Sequence, residues 1–154
     1  MPAPSHPQAA EPAETQLGDM LCFAVYSAGL AFNRLYKPLL DQLDLTYPQY
    51  LAMVALWDKD DQTVGELGEK LFLESNTLTP LLKRLEAMGL IARVRDKVDE
   101  RQVRLHLTDA GRALRHKAET VPGCVLDATR MSAADAGALT EAVTKLRDTL
   151  LRQG

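Results

Sequence analysis

The sequence predicts a mainly α-helical chain with one small β-wing, and three observations predict it. Apolar residues recur every three or four positions through most of the chain. Between Leu90 and Leu107 that period gives way to two short, β-branched, alternating stretches around a charged tip. Hydroxyl, proline and glycine residues stand at the joints, where helices start and stop.

With 154 residues the chain is one domain, or one domain with an added interface. No apolar run approaches the length needed to cross a bilayer. The opening MPAPSHPQAAEPAETQ carries no basic n-region and no apolar h-region, so residues 1–16 read as a disordered tail rather than a signal peptide. A cytoplasmic location is therefore expected.

The first helix is expected from Asp19 to about Leu43, with Leu21, Val25, Ala28, Phe32, Leu35, Leu39 and Leu43 on one face. Pro38 is expected to kink or end it. Thr46 ahead of Tyr47-Pro48 opens a second helix, to about Asp58, with proline in its first turn. Asp58 to Asp61 reads as a loop. Thr63 and Glu66 have the spacing of a capping box, which places a short third helix from Thr63 to Leu71. Leu73 to Ser75 is a turn, and a fourth helix runs to about Met88, with Gly89 as its C′ residue. In this helix Leu78, Leu81, Leu82, Leu85 and Met88 suit the core. Leu90–Arg95 and Gln102–Leu107 are strands, and Asp96–Arg101 is the tip between them. Thr108-Asp109 opens a fifth helix that Pro122-Gly123 interrupts or ends. Ser132 caps a last helix from Ala133 to about Arg152, with Ala136, Leu139, Val143, Leu146 and Leu150 on one face.

Two short helices joined by a turn, then a hairpin with a polar tip, is the order a winged helix-turn-helix requires, and it makes DNA the leading partner. Charge agrees. From Leu81 to Lys117 there are ten Lys or Arg against five Asp or Glu, a balance of +5, so the rest of the chain carries −8 of the net −3. A charge run is ordinarily a solvated face, but this one covers the fourth helix and the hairpin.

In such a fold the N-terminal part of the second helix enters the major groove. Here that part offers Ser75, Asn76, Thr77, Thr79 and Pro80, followed by Lys83 and Arg84. Hydroxyl and amide groups suit phosphates or base edges, proline a thymine methyl, Arg84 a guanine and Lys83 a phosphate. At the tip, Arg101 is the candidate for minor-groove insertion, and Asp99 would orient it through a paired hydrogen bond. Arg93, Arg95 and Arg104 read equally as an exposed hairpin face or as phosphate contacts. The apolar faces of the first and last helices exceed what a small winged-helix core needs, so these ends are expected to dimerise and match a pseudo-palindromic operator.

The segment LGEKLFLESNTLTPLLKRLEAMGLIARVRDKVDERQVRLHLTDAGR resembles the reading head of the MarR family of dimeric transcriptional regulators. Asp99-x-Arg101, the alternating strand after it and Thr108 resemble that family's wing. The resemblance runs from Asp19 to the C-terminus. It implies a single domain over 17–154, with a winged-helix core at about 47–108 and dimerisation helices at about 17–43 and 109–152.

Two cysteines remain, Cys22 and Cys124. Three scattered histidines and no C-x-x-C make a zinc site unexpected, and no metal or cofactor is called for. A lone cysteine is ordinarily a small buried hydrophobe, which is the plainer reading of Cys124. Cys22 stands early in the first helix, where the dipole favours a thiolate, with Asp19 one turn before it in opposition. Tyr26, Tyr36 and Tyr47 are near in sequence. They read as core aromatics or as phenols able to donate to a thiolate.

LCFAVYSAGLAFNRLYKPLLDQLDLTYPQYLAM, with LFLESNTLTPLLKRLE, is similar to the organic hydroperoxide resistance (OhrR) subgroup of that family. The resemblance implies that Cys22 senses peroxide, with Tyr36 and Tyr47 of the partner subunit hydrogen-bonding its sulfur. It also implies the two-cysteine type, in which Cys124, near the end of the fifth helix, resolves oxidised Cys22 as an intersubunit disulfide. The expected function is a repressor that leaves DNA on meeting an organic hydroperoxide and so derepresses detoxification genes, not an enzyme. Leu21, Phe23 and Phe32 would favour lipid-like hydroperoxides over hydrogen peroxide. The alternatives are a MarR-type regulator answering a phenolic or other small ligand, a thiol peroxidase, and a DNA-bending protein.

Overall fold

The structure, a computed structural model, describes residues 15–153. Apart from its last two residues, the tail expected over 1–16 lies outside the described residues. The chain divides into two compact units between Arg34 and Leu35. The first holds a 3₁₀ turn at Leu17–Asp19 and the start of helix α1, Leu21–Asp41. Among its described residues none is buried. Asp19 belongs to the 3₁₀ turn and Met20 is extended, so α1 starts two residues later than expected and Asp19 is not in it. Pro38 does not end the helix, because α1 continues to Asp41. Burial of Leu40, 2% exposed, offsets the hydrogen bond that proline removes.

The second unit contains α2 (Tyr47–Asp58), β1 (Gln62–Thr63), α3 (Val64–Leu71), α4 (Ser75–Ala87), β2 (Ile91–Arg95), β3 (Val103–Leu107), α5 (Asp109–Ala118), α6 (Val121–Thr129) and α7 (Ala133–Leu151). Hydroxyl caps fix most of the joints. Thr46 and Gln49 form a capping box on α2, with Pro48 in the first turn. Thr63 accepts from Glu66 N–H at 3.1 Å, and Glu66 accepts from Thr63 N–H at 3.2 Å. Thr108 and Ser132 cap α5 and α7.

The sheet has the order β1-β3-β2, all antiparallel, with Ile91 opposite Leu107 and Gln62 opposite Leu105. β1 is absent from the sequence reading. It is two residues long and both are polar, so it has no apolar alternation. What fixes it is Gln62, fully buried, whose amide donates to the carbonyls of Ala55 and Lys59. The core lies among α2, α3, α4 and the sheet: Met53, Leu56, Leu67, Leu78, Leu82, Leu85, Ile91 and Leu105 are 0–2% exposed. Each such side chain contributes about 1.5–3 kcal/mol.

Two expectations give way. Met88 is exposed rather than core, because it is the C-cap of α4 and lies past its buried face. Leu81, by contrast, is half-buried and packs against the core. The fifth helix ends at Ala118, before Pro122, and α6 is a helix of its own with Pro122 in its first turn, a position where the missing N–H costs nothing.

Candidate nucleic-acid interface and thiol site

The fourth helix separates its two jobs by side. Leu78, Leu82 and Leu85 point into the core, while Ser75, Asn76, Thr77, Pro80, Lys83 and Arg84 are exposed and Thr79 is half-buried. Glu74 stands at the N-cap without a side-chain hydrogen bond, so no side chain covers the first N–H groups of this helix. Helix N-termini of that kind take anionic acceptors readily. Pro80 lies inside the second turn, later than a proline is usually tolerated. At the other end Gly89, with φ +77°, takes the left-handed conformation that closes the helix.

The wing tip is held by its aspartates. Asp96 accepts the N–H groups of Val98 (2.7 Å) and Asp99 (3.3 Å). Asp99 receives Arg101 Nε at 3.1 Å and Nη2 at 3.4 Å, while the Arg101 side chain is 91% exposed. The guanidinium is thus fixed in direction and open to solvent.

Arg104 differs from the reading given to it. It is neither a bare exposed face nor free for phosphate: Nε donates to Asp61 (2.8 Å), Nη1 to Asp96 (3.0 Å) and Nη2 to the Asp61 carbonyl (3.2 Å). It clamps the turn before β1 to the base of the wing. The hydrogen bond from Arg104 holds the Asp61 carboxyl below its usual range. For Asp96 the Val98 N–H is the larger cause and Arg104 the next. Residues 59–61 form the loop expected after α2, and Asp60 in it accepts Leu107 N–H at 2.9 Å, so the loop also braces β3. The sequence signal for both was the run of aspartates itself, which read only as a polar turn. Arg93 is paired with Glu86 at 3.4 Å. Among the described residues Lys83, Arg84, Arg95 and Lys97 are exposed and have no carboxylate partner.

Cys22 is exposed in the first turn of α1, with Tyr26 one turn on and exposed, and Phe23 half-buried. Cys124 is exposed too, which overturns its reading as a buried hydrophobe, and it lies in α6 rather than at the end of the fifth helix. In the second unit Tyr36 and Tyr47 have ring centroids 4.6 Å apart, and Tyr36 also meets Tyr50 at 5.9 Å. Burial pushes the Tyr36 hydroxyl up to about 12, and Tyr47 and Tyr50 add to this. Burial raises Tyr47 as well. Both phenols therefore keep their protons at neutral pH and can donate. Tyr50 was missed as a member of this cluster. Its spacing of three from Tyr47 on one helix was the available signal.

The terminal helices leave apolar side chains uncovered. In α1 these include Leu21, Val25, Leu30 and Phe32, and in α7 Leu139, Val143, Leu150 and Leu151. No residue of α7 is buried. Among the described residues no group of His, Cys, Asp or Glu could hold a metal ion, and no helix is long and apolar enough to cross a membrane.

Residues 34–118 match the family described as transcriptional regulator SarA/Rot. Over 134 residues the chain is 49% identical to the HTH-type transcriptional regulator TtmR of Methylorubrum extorquens, covering 87% of this chain and 69% of that one. It is 45% identical over 135 residues to the organic hydroperoxide resistance transcriptional regulator of Bacillus subtilis, covering 88% and 92%. Among solved structures it is similar to AbfR of Staphylococcus epidermidis, with a TM-score of 0.75, 34% identity and coverage of 88% and 94%. AbfR has also been solved reduced and bound to DNA, and with a disulfide formed.

Proposed function

Because the chain belongs to the MarR/SarA family of DNA-binding transcriptional regulators, and is not an enzyme, we propose that it is a homodimeric, cytoplasmic repressor that senses organic hydroperoxides through Cys22. The observation that carries this reading is a reactive-type placement, an exposed cysteine in the first turn of α1, in a chain 45% identical to an organic hydroperoxide resistance regulator.

The uncovered faces of α1 and α7 support dimerisation, since apolar stripes of this size on a monomer mark an interface. Two copies of α4 then read successive major grooves of a pseudo-palindromic operator. Ser75, Asn76, Thr77 and Thr79 meet phosphates or base edges, Pro80 a thymine methyl and Arg84 a guanine, Lys83 and Arg95 face phosphates, and Arg101, aimed by Asp99, enters the minor groove.

In the sensing step the Cys22 thiolate attacks the distal oxygen of the hydroperoxide. An S–O bond forms, the O–O bond breaks, and the alkoxide leaves as an alcohol after taking up a proton. The hydroxyls of Tyr36 and Tyr47 from the partner subunit donate to the thiolate before attack. The Cys124 thiol of the partner subunit then attacks the sulfenic sulfur, forming the disulfide and releasing water. Sulfurs must come to about 2 Å, so the dimer adjusts and the two α4 helices lose their spacing on DNA. A dithiol reductant reverses the step, and no cofactor is needed. The apolar Leu21, Phe23 and Phe32 favour lipid-like hydroperoxides over hydrogen peroxide, and equal Cys22 oxidation rates with the two would refute that preference.

The test is a gel shift on the operator with cumene hydroperoxide, comparing wild type, Cys22→Ser and Cys124→Ser. Release of wild type but not of Cys22→Ser, with a reductant-sensitive dimer band only in wild type, is expected. Equal release of Cys22→Ser would overturn the reading and leave a non-redox ligand as the signal.

A further inference from the structure

Beyond the two tyrosines assigned to the thiolate, the unit from Leu35 onward contains a continuous aromatic path. Tyr36 meets Tyr47 at 4.6 Å and Tyr50 at 5.9 Å, and Tyr50 meets Trp57 edge-on at 6.4 Å and 71°. Tyr50 is 5% exposed, and its ring lies between those of Tyr36 and Trp57. At the end of the path the Trp57 indole Nε1 donates to the Gly111 carbonyl at 2.9 Å, and the Trp57 carbonyl accepts Arg115 Nη1 at 3.2 Å. α2 is thereby tied to the first turns of α5.

Gly111 is the point where α5 lies on the entry to the wing. A Cβ there would collide with the Leu90 carbonyl oxygen, so α5 and the residue just before β2 touch backbone to backbone. One turn earlier, Thr108 donates from its N–H to Leu90 O at 3.1 Å and from its hydroxyl to the Gly89 carbonyl at 2.6 Å. Gly89 closes α4. A chain of direct contacts therefore leads from the tyrosine pair, through Tyr50, Trp57 and Gly111, to the C-terminal end of the DNA-reading helix.

We propose that the Tyr36–Tyr50–Trp57–Gly111 path carries the state of the thiol site to α4, with Trp57 as the positioning residue whose indole N–H sets α5 and Gly89 in the DNA-competent arrangement. The inference rests on the thiol reading above. When the thiolate is consumed, Tyr36 and Tyr47 lose their acceptor and shift. Tyr50, nearly buried and packed against both Tyr36 and Trp57, passes that shift on, and the close backbone contact at Gly111 has no side chain to cushion it. The proposed reading gives Trp57 no contact with the sulfur or with DNA, so its part is transmission alone.

Trp57 is the chain's single tryptophan, which makes its emission a direct readout. The experiment treats the full-length reduced dimer with cumene hydroperoxide, following Trp57 fluorescence and operator release together, in wild type and in Cys22→Ser. The expected result is an emission change in wild type that keeps pace with release and is absent in Cys22→Ser. Release without an emission change would overturn the path, whereas no release at all would overturn the thiol reading instead. In Trp57→Phe the ring stays and the donor goes. Cys22 should oxidise at the wild-type rate, yet the ratio of oxidised to reduced operator Kd should fall by about tenfold. An unchanged ratio would overturn the role of the indole N–H. If Trp57→Phe does not fold, the wild-type fluorescence decides alone.

Discussion

Helices α4 and α7 are both amphipathic, yet they end in opposite situations. In α4 the apolar residues Leu78, Leu82 and Leu85 are 0–1% exposed. In α7 none is buried, and Leu139, Val143, Leu150 and Leu151 remain 43–60% exposed. The difference lies in where the complementary surface comes from. α4 finds it in α2, α3 and the sheet of its own unit. For α7 the proposed dimer would supply it from a second molecule, since exposed apolar stripes mark interfaces. In that reading a helix that completes the fold and a helix that completes the assembly share one periodicity, and only a covering surface within the unit separates them.

The largest effect should follow from breaking the second kind. Leu139→Asp with Val143→Asp puts two charges on the uncovered face of α7. Sedimentation should show monomers, the far-ultraviolet spectrum should stay helical, and operator affinity should fall by on the order of a hundredfold as one half-site must bind alone. A double variant that remains dimeric on its operator would refute the role given to this face.

Breaking the first kind should act on folding instead. Leu82→Ala removes a fully packed side chain from the reading head and should cost about 2–5 kcal/mol in a denaturant titration. The dimer interface should be spared, so the midpoint shifts while the oligomeric state at low denaturant does not. Next in size, Arg101→Ala should weaken operator binding by about tenfold and lower the salt dependence by about one ion, because an arginine 91% exposed at the wing tip has little to do for stability.

These contrasts also mark what the sequence could reveal. Elements with a repeating apolar period or a hydroxyl cap were legible: the boundaries of α2, α3 and α7 follow from Thr46, Thr63 and Ser132. What escaped was held by polar contacts between distant parts of the chain. β1 exists because the Gln62 amide reaches the carbonyls of Ala55 and Lys59, and Arg104 is a clamp because Asp61, 43 residues earlier, arrives beside it. Neither leaves a periodic trace. The exposed polar side of α4 was legible for the reason its core face was, since the two alternate at helical spacing. Exposure of Cys124 was not, because it depends on α6 being a separate helix, and Pro122 can end one helix or start the next equally well.

The smallest effects, and the ones that best separate the wing from the tyrosine cluster, come from pH. Asp61 and Asp96 have their carboxyls held below the usual range, Asp61 chiefly by Arg104 and Asp96 chiefly by the Val98 N–H. A group lowered in the folded state contributes stability that is complete above the ordinary carboxylate value and lost as pH falls through the lowered one. The wing should therefore be indifferent to pH from 8 down to about 5 and loosen only below about 4. Because these side chains meet solvent, the loss should be modest and shrink further in salt. Tyr36 is displaced the other way, up to about 12, so its contribution is complete below the ordinary phenol value near 10 and is lost as pH rises through 12. Amide exchange read residue by residue should thus open Val98 and Arg101 first in acid and Tyr36 and Tyr50 first in alkali. If acid opened the tyrosine cluster before the wing, the Asp61–Arg104–Asp96 clamp would not be what holds the wing in place.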